Sequence, residues 1–99
     1  MRLVFRPESE ADLTEIHDHI AMDSPARARR FIALLRDRCA PLRQFPEMGR
    51  VRDDLRPGLR SLAVDRYVVI YRVLGEMVEI VTIVHGSRDV DALVRGTRT

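Results

Sequence analysis

The chain has 99 residues, 17 of them basic and 15 acidic, and this length predicts one domain over residues 1–99. Its single cysteine excludes an internal disulfide, and since every basic residue is arginine, chemistry that depends on a lysine amine is excluded as well. The net charge is only +2, and the acidic residues are interspersed among the basic ones along the chain. This pattern argues against a strongly basic surface that would bind nucleic acid.

The first half of the chain predicts a strand followed by two helices. Residues 1–6 alternate apolar and polar side chains and end before a proline, as a short strand does. Residues 8–22 place apolar side chains at helical spacing, with acidic residues in the first turn. Ser24 and Pro25 fit the N-cap and first position of a second helix that ends near residue 43. The two helices predict an αα-hairpin whose apolar side covers one face of a sheet.

Three residues of these helices belong to types that often carry chemistry. His17 and His19 are two positions apart and lie on different helix faces, which predicts solvated side chains rather than a shared metal site. Cys39 falls on the apolar stripe of the second helix, which predicts a small buried side chain rather than a reactive thiol. We expect neither a metal nor a cofactor.

The second half predicts an antiparallel meander. Breakers and clustered charges indicate a surface loop over residues 45–58, followed by a short strand at 59–64. Residues 67–85 are two apolar, β-branched runs joined by a Gly-Glu pair, the pattern of a β-hairpin with a two-residue turn. In the tail, the pattern of residues 90–94 predicts one helical turn. The predicted fold is α+β: an N-terminal strand, an αα-hairpin on one side of the sheet, then a three-stranded antiparallel meander and a short C-terminal helical turn.

Regular alternation across this hairpin predicts which side chains share the face opposite the helices. The predicted pairs on that second face are Arg72–Glu79, Ile70–Val81, Val68–Ile83 and Arg66–His85. Only the short C-terminal helical turn is available to cover its apolar strip. We therefore expect a partner protein to complete this face.

The sequence contains no glycine-rich phosphate loop, no HExxH, no CxxC and no Gly-x-Ser-x-Gly. Polar residues predicted on or near the second face are Arg60, Arg66, Arg72, Glu79, His85 and Arg88. In one interpretation they form an RNA-cutting site, where arginines hold the scissile phosphate and His85 transfers a proton. In the other, Arg72 and Glu79 form a cross-strand ion pair, which leaves Arg72 a poor phosphate ligand. His85 and Arg88 fit either interpretation, because they lie where a strand leads into a loop.

Several segments together resemble a known protein family. They are Ala11-Asp12-Leu13 with Ile16, FPEMGR at 45–50, RPGLR at 56–60, YVVIYRV at 67–73 and VHGSRD at 84–89. In this order and spacing they resemble the RelE/ParE superfamily of bacterial toxins, specifically its ParE branch. The resemblance implies a type II toxin-antitoxin system in which a ParD-like or similar antitoxin holds the toxin inactive in a hetero-oligomer. It also implies DNA gyrase as the target, and leaves sequence-specific DNA contact to the antitoxin.

The RelE branch of the superfamily cuts messenger RNA, and the sequence departs from that branch. RelE-like nucleases carry basic residues where this chain has Leu59, Ser61 and Val68. They also carry one after the last strand, and this is the one basic position that the chain matches, with Arg88. Without those cations, a scissile phosphate has no clamp and the leaving group has no acid. A non-enzymatic gyrase inhibitor is therefore the function we expect.

Under the alternative hypothesis of an RNA-cutting enzyme, the candidate catalytic residues are Arg60, His85 and Arg88. The sequence assigns no residue a firm catalytic role. A third hypothesis, a DNA-binding or scaffold module, is disfavoured by the interspersed acidic residues. With no signal-peptide pattern and no bilayer-length apolar run, we expect a cytoplasmic protein without membrane contact. The residues predicted to bind a partner are Val68, Ile70, Arg72, Val81, Ile83, Arg60 and Arg88.

Overall fold

The computed structural model describes residues 1–86, 90 and 92. Its elements in chain order are β1 (Arg2–Phe5), α1 (Pro7–Ala21), α2 (Pro25–Cys39), a 3-10 turn (Ala40–Arg43), β2 (Arg50–Val51), β3 (Arg60–Val64), β4 (Tyr67–Leu74) and β5 (Met77–His85). The five strands form a sheet in the order β1-β5-β4-β3-β2, with β1 parallel to β5 and the other neighbours antiparallel. This architecture confirms the predicted α+β fold of a strand, two helices and a meander, and adds β2, a two-residue strand inside the predicted loop. The predicted helical turn at 90–94 lies largely outside the described residues. Neither described helix is long and apolar enough to cross a membrane.

The αα-hairpin begins its second helix as predicted. The Oγ atom of Ser24 accepts a hydrogen bond of 3.2 Å from the Arg27 N–H, and Pro25 occupies the first helical position. Pro25 has no N–H to leave unpaired there, so the short turn after α1 leads directly into α2.

The main core lies between the two helices and one face of the sheet. Leu13 and Ile16 of α1 and Leu35 and Cys39 of α2 pack there against residues of the central strands. Those strand residues are Val64, Val69, Tyr71, Val78, Ile80 and Ile83. Burial raises the pKa of the Cys39 thiol to about 11, so this residue is a small core side chain, as predicted.

The hairpin of β4 and β5 follows the predicted register only over its first four pairs. Arg72 pairs with Glu79 and Tyr71 with Ile80, but Ile70 then pairs with Thr82, because β5 contains an extra residue, Val81. Such a β-bulge moves every later side chain of its strand to the opposite face.

Three predicted pairs, Ile70–Val81, Val68–Ile83 and Arg66–His85, are therefore wrong. The observed pairs are Val69–Ile83, Val68–Val84 and Tyr67–His85. Ile83 consequently lies in the helix-side core, where it is 4% exposed, and not on the second face.

Asp12 of α1 holds the bulged end of β5. Its Oδ2 atom accepts hydrogen bonds from the Thr82 hydroxyl at 2.6 Å and from the Ile83 N–H at 2.9 Å. Strand β1 ends at Phe5, opposite Ile80, so its paired residues do not extend as far as Ile83. The carboxylate therefore takes the place of a strand partner for this N–H group.

Replacing Asp12 with alanine should destabilise the fold, because the Ile83 N–H and the Thr82 hydroxyl would lose a charged acceptor. We expect the free energy of unfolding to fall by about 1.5–3 kcal/mol, as for hydrogen bonds to charged groups. Urea denaturation of Asp12→Ala measures this, with Asp18→Ala as the control, because Asp18 is exposed and, among the described residues, bonds only its neighbour His17. Equal stability of the two variants would contradict the role of Asp12.

Candidate functional site

The face of the sheet opposite the helices carries a groove of about 380 Å³, which we call the second-face groove. Its lining comes from the β1–α1 junction, the loop before β3, and strands β4 and β5. The lining residues are Arg6, Glu8, Leu55, Arg56, Leu59, Ile70, Arg72, Val81 and Thr82.

The apolar residue at the base of the groove is covered by other residues of the same chain. Ile70 is 1% exposed and clusters with Leu55 and Val90, both of which are also buried. Leu59, Val68 and Val84 pack around them and remain half-buried. The predicted apolar strip is therefore partly covered by the chain, and the loop before β3 contributes to this cover together with Val90.

Backbone turns in that loop direct Leu55 onto the sheet. The Leu55 N–H donates to the Arg52 carbonyl at 3.0 Å, and the Leu59 N–H donates to the Arg56 carbonyl at 3.2 Å. Gly58 has a φ of 87°, which favours glycine, and its N–H donates to the Asp53 carboxylate at 3.1 Å. The loop is thus a folded cover over Ile70.

Val81, the extra residue of the bulge, remains partly accessible. It is half-buried and lines the groove beside Thr82. Leu59 is half-buried on the loop that covers Ile70. These two side chains provide apolar surface that a bound partner can remove from water.

Two of the arginines that line the groove are paired with Glu79, whose side chain is only 12% exposed. The Nε atom of Arg72 lies 2.7 Å from the Glu79 Oε1 atom, which confirms the predicted cross-strand ion pair. Arg6 approaches the same oxygen at 3.8 Å and also bonds Glu8 at 3.1 Å. The hydrogen bond from Arg6 lowers the pKa of Glu8. Arg72 and Arg6 are thus held in place by carboxylates, while Arg56 is exposed to solvent.

The candidate nuclease residues do not come together at this groove. Arg60 pairs with Tyr71 of the helix-side core, and its Nη1 atom donates to the carbonyls of Gly49 at 2.8 Å and Glu47 at 3.3 Å. His85 pairs with Tyr67, its ring edge-on at 5.1 Å between centroids. Since side chains of paired residues share a face, the placement of Arg60 and His85 on the second face was wrong.

Arg60 and His85 are also far apart along the sheet. Their partners on β4 are four residues apart, a separation of about 13 Å at the rise of a strand. Arg66 lies in the turn between β3 and β4 and lines a different cavity, so its predicted place on the second face was wrong too. The prediction for Arg88 lies outside the described residues.

Several residues of the groove, among them Arg6, Leu55 and Thr82, were not predicted from the sequence. Arg6 follows the first strand, and no local pattern relates it to Glu79. Leu55 carried a signal, since it is an apolar residue within the charged segment RVRDDLRPG. Thr82 is a polar residue in an apolar strand, a pattern that can mark an irregular position.

Comparison with known proteins gives consistent matches over most of the chain. The family model described as the ParE toxin of the type II toxin-antitoxin system parDE matches residues 3–90. The chain is 33% identical over 95 residues to Toxin ParE1 of Mycobacterium tuberculosis, covering 91% of this chain and 94% of that protein. It is 39% identical over 79 residues to Toxin RelE2 of Caulobacter vibrioides, covering 79% and 86% respectively. A solved structure described as a chromosomal ParDE toxin-antitoxin system from P. aeruginosa has a TM-score of 0.77 at 27% identity, covering 87% of this chain and 96% of that one.

Proposed function

This chain belongs to the ParE toxin family of type II toxin-antitoxin systems, and from that premise we propose that it inhibits growth by binding and blocking DNA gyrase in the cytoplasm. It acts by binding and catalyses no reaction. A cognate antitoxin neutralises it by occupying the second-face groove.

The antitoxin proposal rests on one observation: accessible apolar surface and arginine side chains line the same groove. Val81 and Leu59 provide apolar surface that a bound partner can remove from water. Arg56 lines the same groove and is exposed, so it can donate to an acidic side chain of the partner. Arg72 and Arg6 are kept in place by Glu79 and Glu8 and give the groove a defined shape. A disordered antitoxin segment that carries both apolar and acidic residues would become ordered on this surface as it binds. The similar solved structure is described as a ParDE toxin-antitoxin system, which is consistent with such a partner.

Two contacts support the non-catalytic part of the proposal. The guanidinium of Arg60 is bonded to backbone carbonyls of the loop before β2, where it stabilises the loop. Glu79 bonds Arg72 at the groove, and a paired arginine is a weak ligand for a phosphate.

A supercoiling assay tests the target. Purified gyrase and relaxed plasmid are incubated with increasing amounts of the full chain, and we expect supercoiling to be lost and to return when the cognate antitoxin is added. A relaxation assay with a type I topoisomerase serves as the control and should be unaffected. Normal supercoiling at a large molar excess of toxin would contradict gyrase as the target.

The second candidate function is cleavage of messenger RNA, favoured by the similarity to a protein named Toxin RelE2. Translating ribosomes are incubated with the purified chain, and transcript ends are then mapped. We expect no new ends. New ends that disappear with His85→Ala or Arg88→Ala would replace gyrase inhibition with RNA cleavage.

A further inference from the structure

A second cavity, of about 570 Å³, lies on the helix side of the sheet at the end where α1 turns into α2. We call it the helix-side pocket. Its walls are formed by the last turn of α1, the first turns of α2, the turn between β3 and β4, and the end of β5. None of the described residues lines both this pocket and the second-face groove.

Part of the lining of the helix-side pocket is aromatic. The rings of Phe31 and Tyr67 lie 5.5 Å apart between centroids, and both side chains are half-buried against the main core. The His85 ring packs edge-on against Tyr67. Because Phe31 and Tyr67 are held by the core, they give the otherwise polar pocket a preformed aromatic patch.

Three arginines line this pocket from two separate elements. Arg27 and Arg30 are three residues apart on α2 and so lie on the same side of that helix, whereas Arg66 lies in the turn between β3 and β4. All three are exposed, and within residues 1–86, 90 and 92 none forms an ion pair. Arg6 and Arg72 at the groove, by contrast, are paired with carboxylates.

We propose that the helix-side pocket binds an acidic segment of a partner protein, in which an apolar side chain lies between acidic ones. The apolar side chain would lie on Phe31 and Tyr67, and the flanking carboxylates would accept forked hydrogen bonds from the arginines of α2 and of the β3–β4 turn. This proposal does not depend on the antitoxin or gyrase assignments.

Two acidic residues of the pocket favour a peptide over a nucleic acid. Asp23 and Asp65 lie among the lining residues, where they would repel a regular row of phosphates. A peptide carries its charges on separate side chains and can place neutral groups beside these two aspartates. Among the lining residues that the structure describes, three arginines stand against two aspartates, and this balance favours a few separate carboxylates over a polyanion.

The test uses the full chain and a fluorescein-labelled peptide of sequence Glu-Asp-Phe-Asp-Glu, followed by fluorescence anisotropy. We expect saturable binding that weakens by about tenfold in Arg30→Gln or Arg66→Gln, since each removes a charge-assisted contact. Arg29→Gln is the matched control, because Arg29 is an exposed neighbour that does not line the pocket. It should bind the peptide as the unmodified chain does.

Three outcomes would overturn the proposal. One is the same loss of binding in Arg29→Gln as in Arg30→Gln, which would indicate general attraction between charges. Another is equal affinity for the neutral peptide Gln-Asn-Phe-Asn-Gln. The third is displacement of the acidic peptide by a pentathymidine at lower concentration than by unlabelled peptide, which would assign the pocket to nucleic acid.

Discussion

Substitution of Gly49 by alanine is expected to lower the free energy of unfolding by about 2–3 kcal/mol, a cost typical of overpacking a filled interior. A Cβ atom on Gly49 would lie 2.5 Å from the Tyr71 hydroxyl, 2.6 Å from the Tyr71 Cε1 atom and 2.9 Å from the Ser61 carbonyl oxygen. The Tyr71 side chain is fully buried and the Ser61 oxygen belongs to the backbone of β3, so neither can move away cheaply.

The same substitution would disturb the contacts that hold the loop before β2. The Tyr71 hydroxyl accepts a hydrogen bond of 2.8 Å from the Gly49 N–H and donates one of 2.7 Å to the Pro46 carbonyl. Burial raises the pKa of Tyr71, whose hydroxyl is already protonated near neutral pH and therefore able to donate. Arg60 binds the Gly49 carbonyl from the neighbouring strand. A shift at Gly49 therefore weakens several hydrogen bonds at once.

Urea denaturation measures the effect on Gly49→Ala, and Met48→Ala is the control. Met48 is 45% exposed, so its truncation should change the free energy of unfolding by no more than about 0.5 kcal/mol, as is usual at the surface. A Gly49→Ala variant as stable as Met48→Ala would show that the buried Tyr71 ring can move to make room.

Local sequence patterns were sufficient to predict most of the element order. The Ser24 cap, the Pro25 start of α2 and the two-residue turn at Gly75 depend on neighbouring residues, so their signals lie within a few positions of the chain. The bulge in β5, by contrast, is stabilised by a contact between residues far apart in the sequence. Its bulged end is held by Asp12, 71 residues before Ile83, and no local pattern carries that contact.

The bulge explains why the predicted partner-binding face was only partly right. The segment VEIVTIVH is apolar at most positions, so alternation within it cannot show where the strand changes face. Ile83 was therefore assigned to the second face but lies in the main core. Ile70 does lie on that face, yet Leu55 and Val90 bury it. Of the two β5 residues predicted to bind a partner, Val81 lines the groove and remains accessible, whereas Ile83 does not line it.

Placing a charge at Val81 should strongly weaken antitoxin binding if the antitoxin occupies the second-face groove. In Val81→Asp, a carboxylate would be desolvated beneath the bound segment and would compete with the acidic residues of the antitoxin for the arginines that line the groove. We expect the affinity for the cognate antitoxin to fall by about 100-fold or more, the effect of losing a central apolar contact and adding a charge of the same sign as the bound segment. Isothermal titration calorimetry of the purified variant with the antitoxin measures this change.

Val73→Asp provides the matched control, because it introduces the same charge into the same hairpin outside the groove. Val73 is 39% exposed near the hairpin turn, so we expect its variant to bind the antitoxin within about threefold of the unmodified chain, as peripheral substitutions do. Since Val81 is half-buried and Ile70 is 1% exposed, a charge at Val81 tests the surface without placing a carboxylate in the protein interior. If Val81→Asp bound as tightly as Val73→Asp while both kept native circular dichroism spectra, the antitoxin would have to bind elsewhere on the toxin.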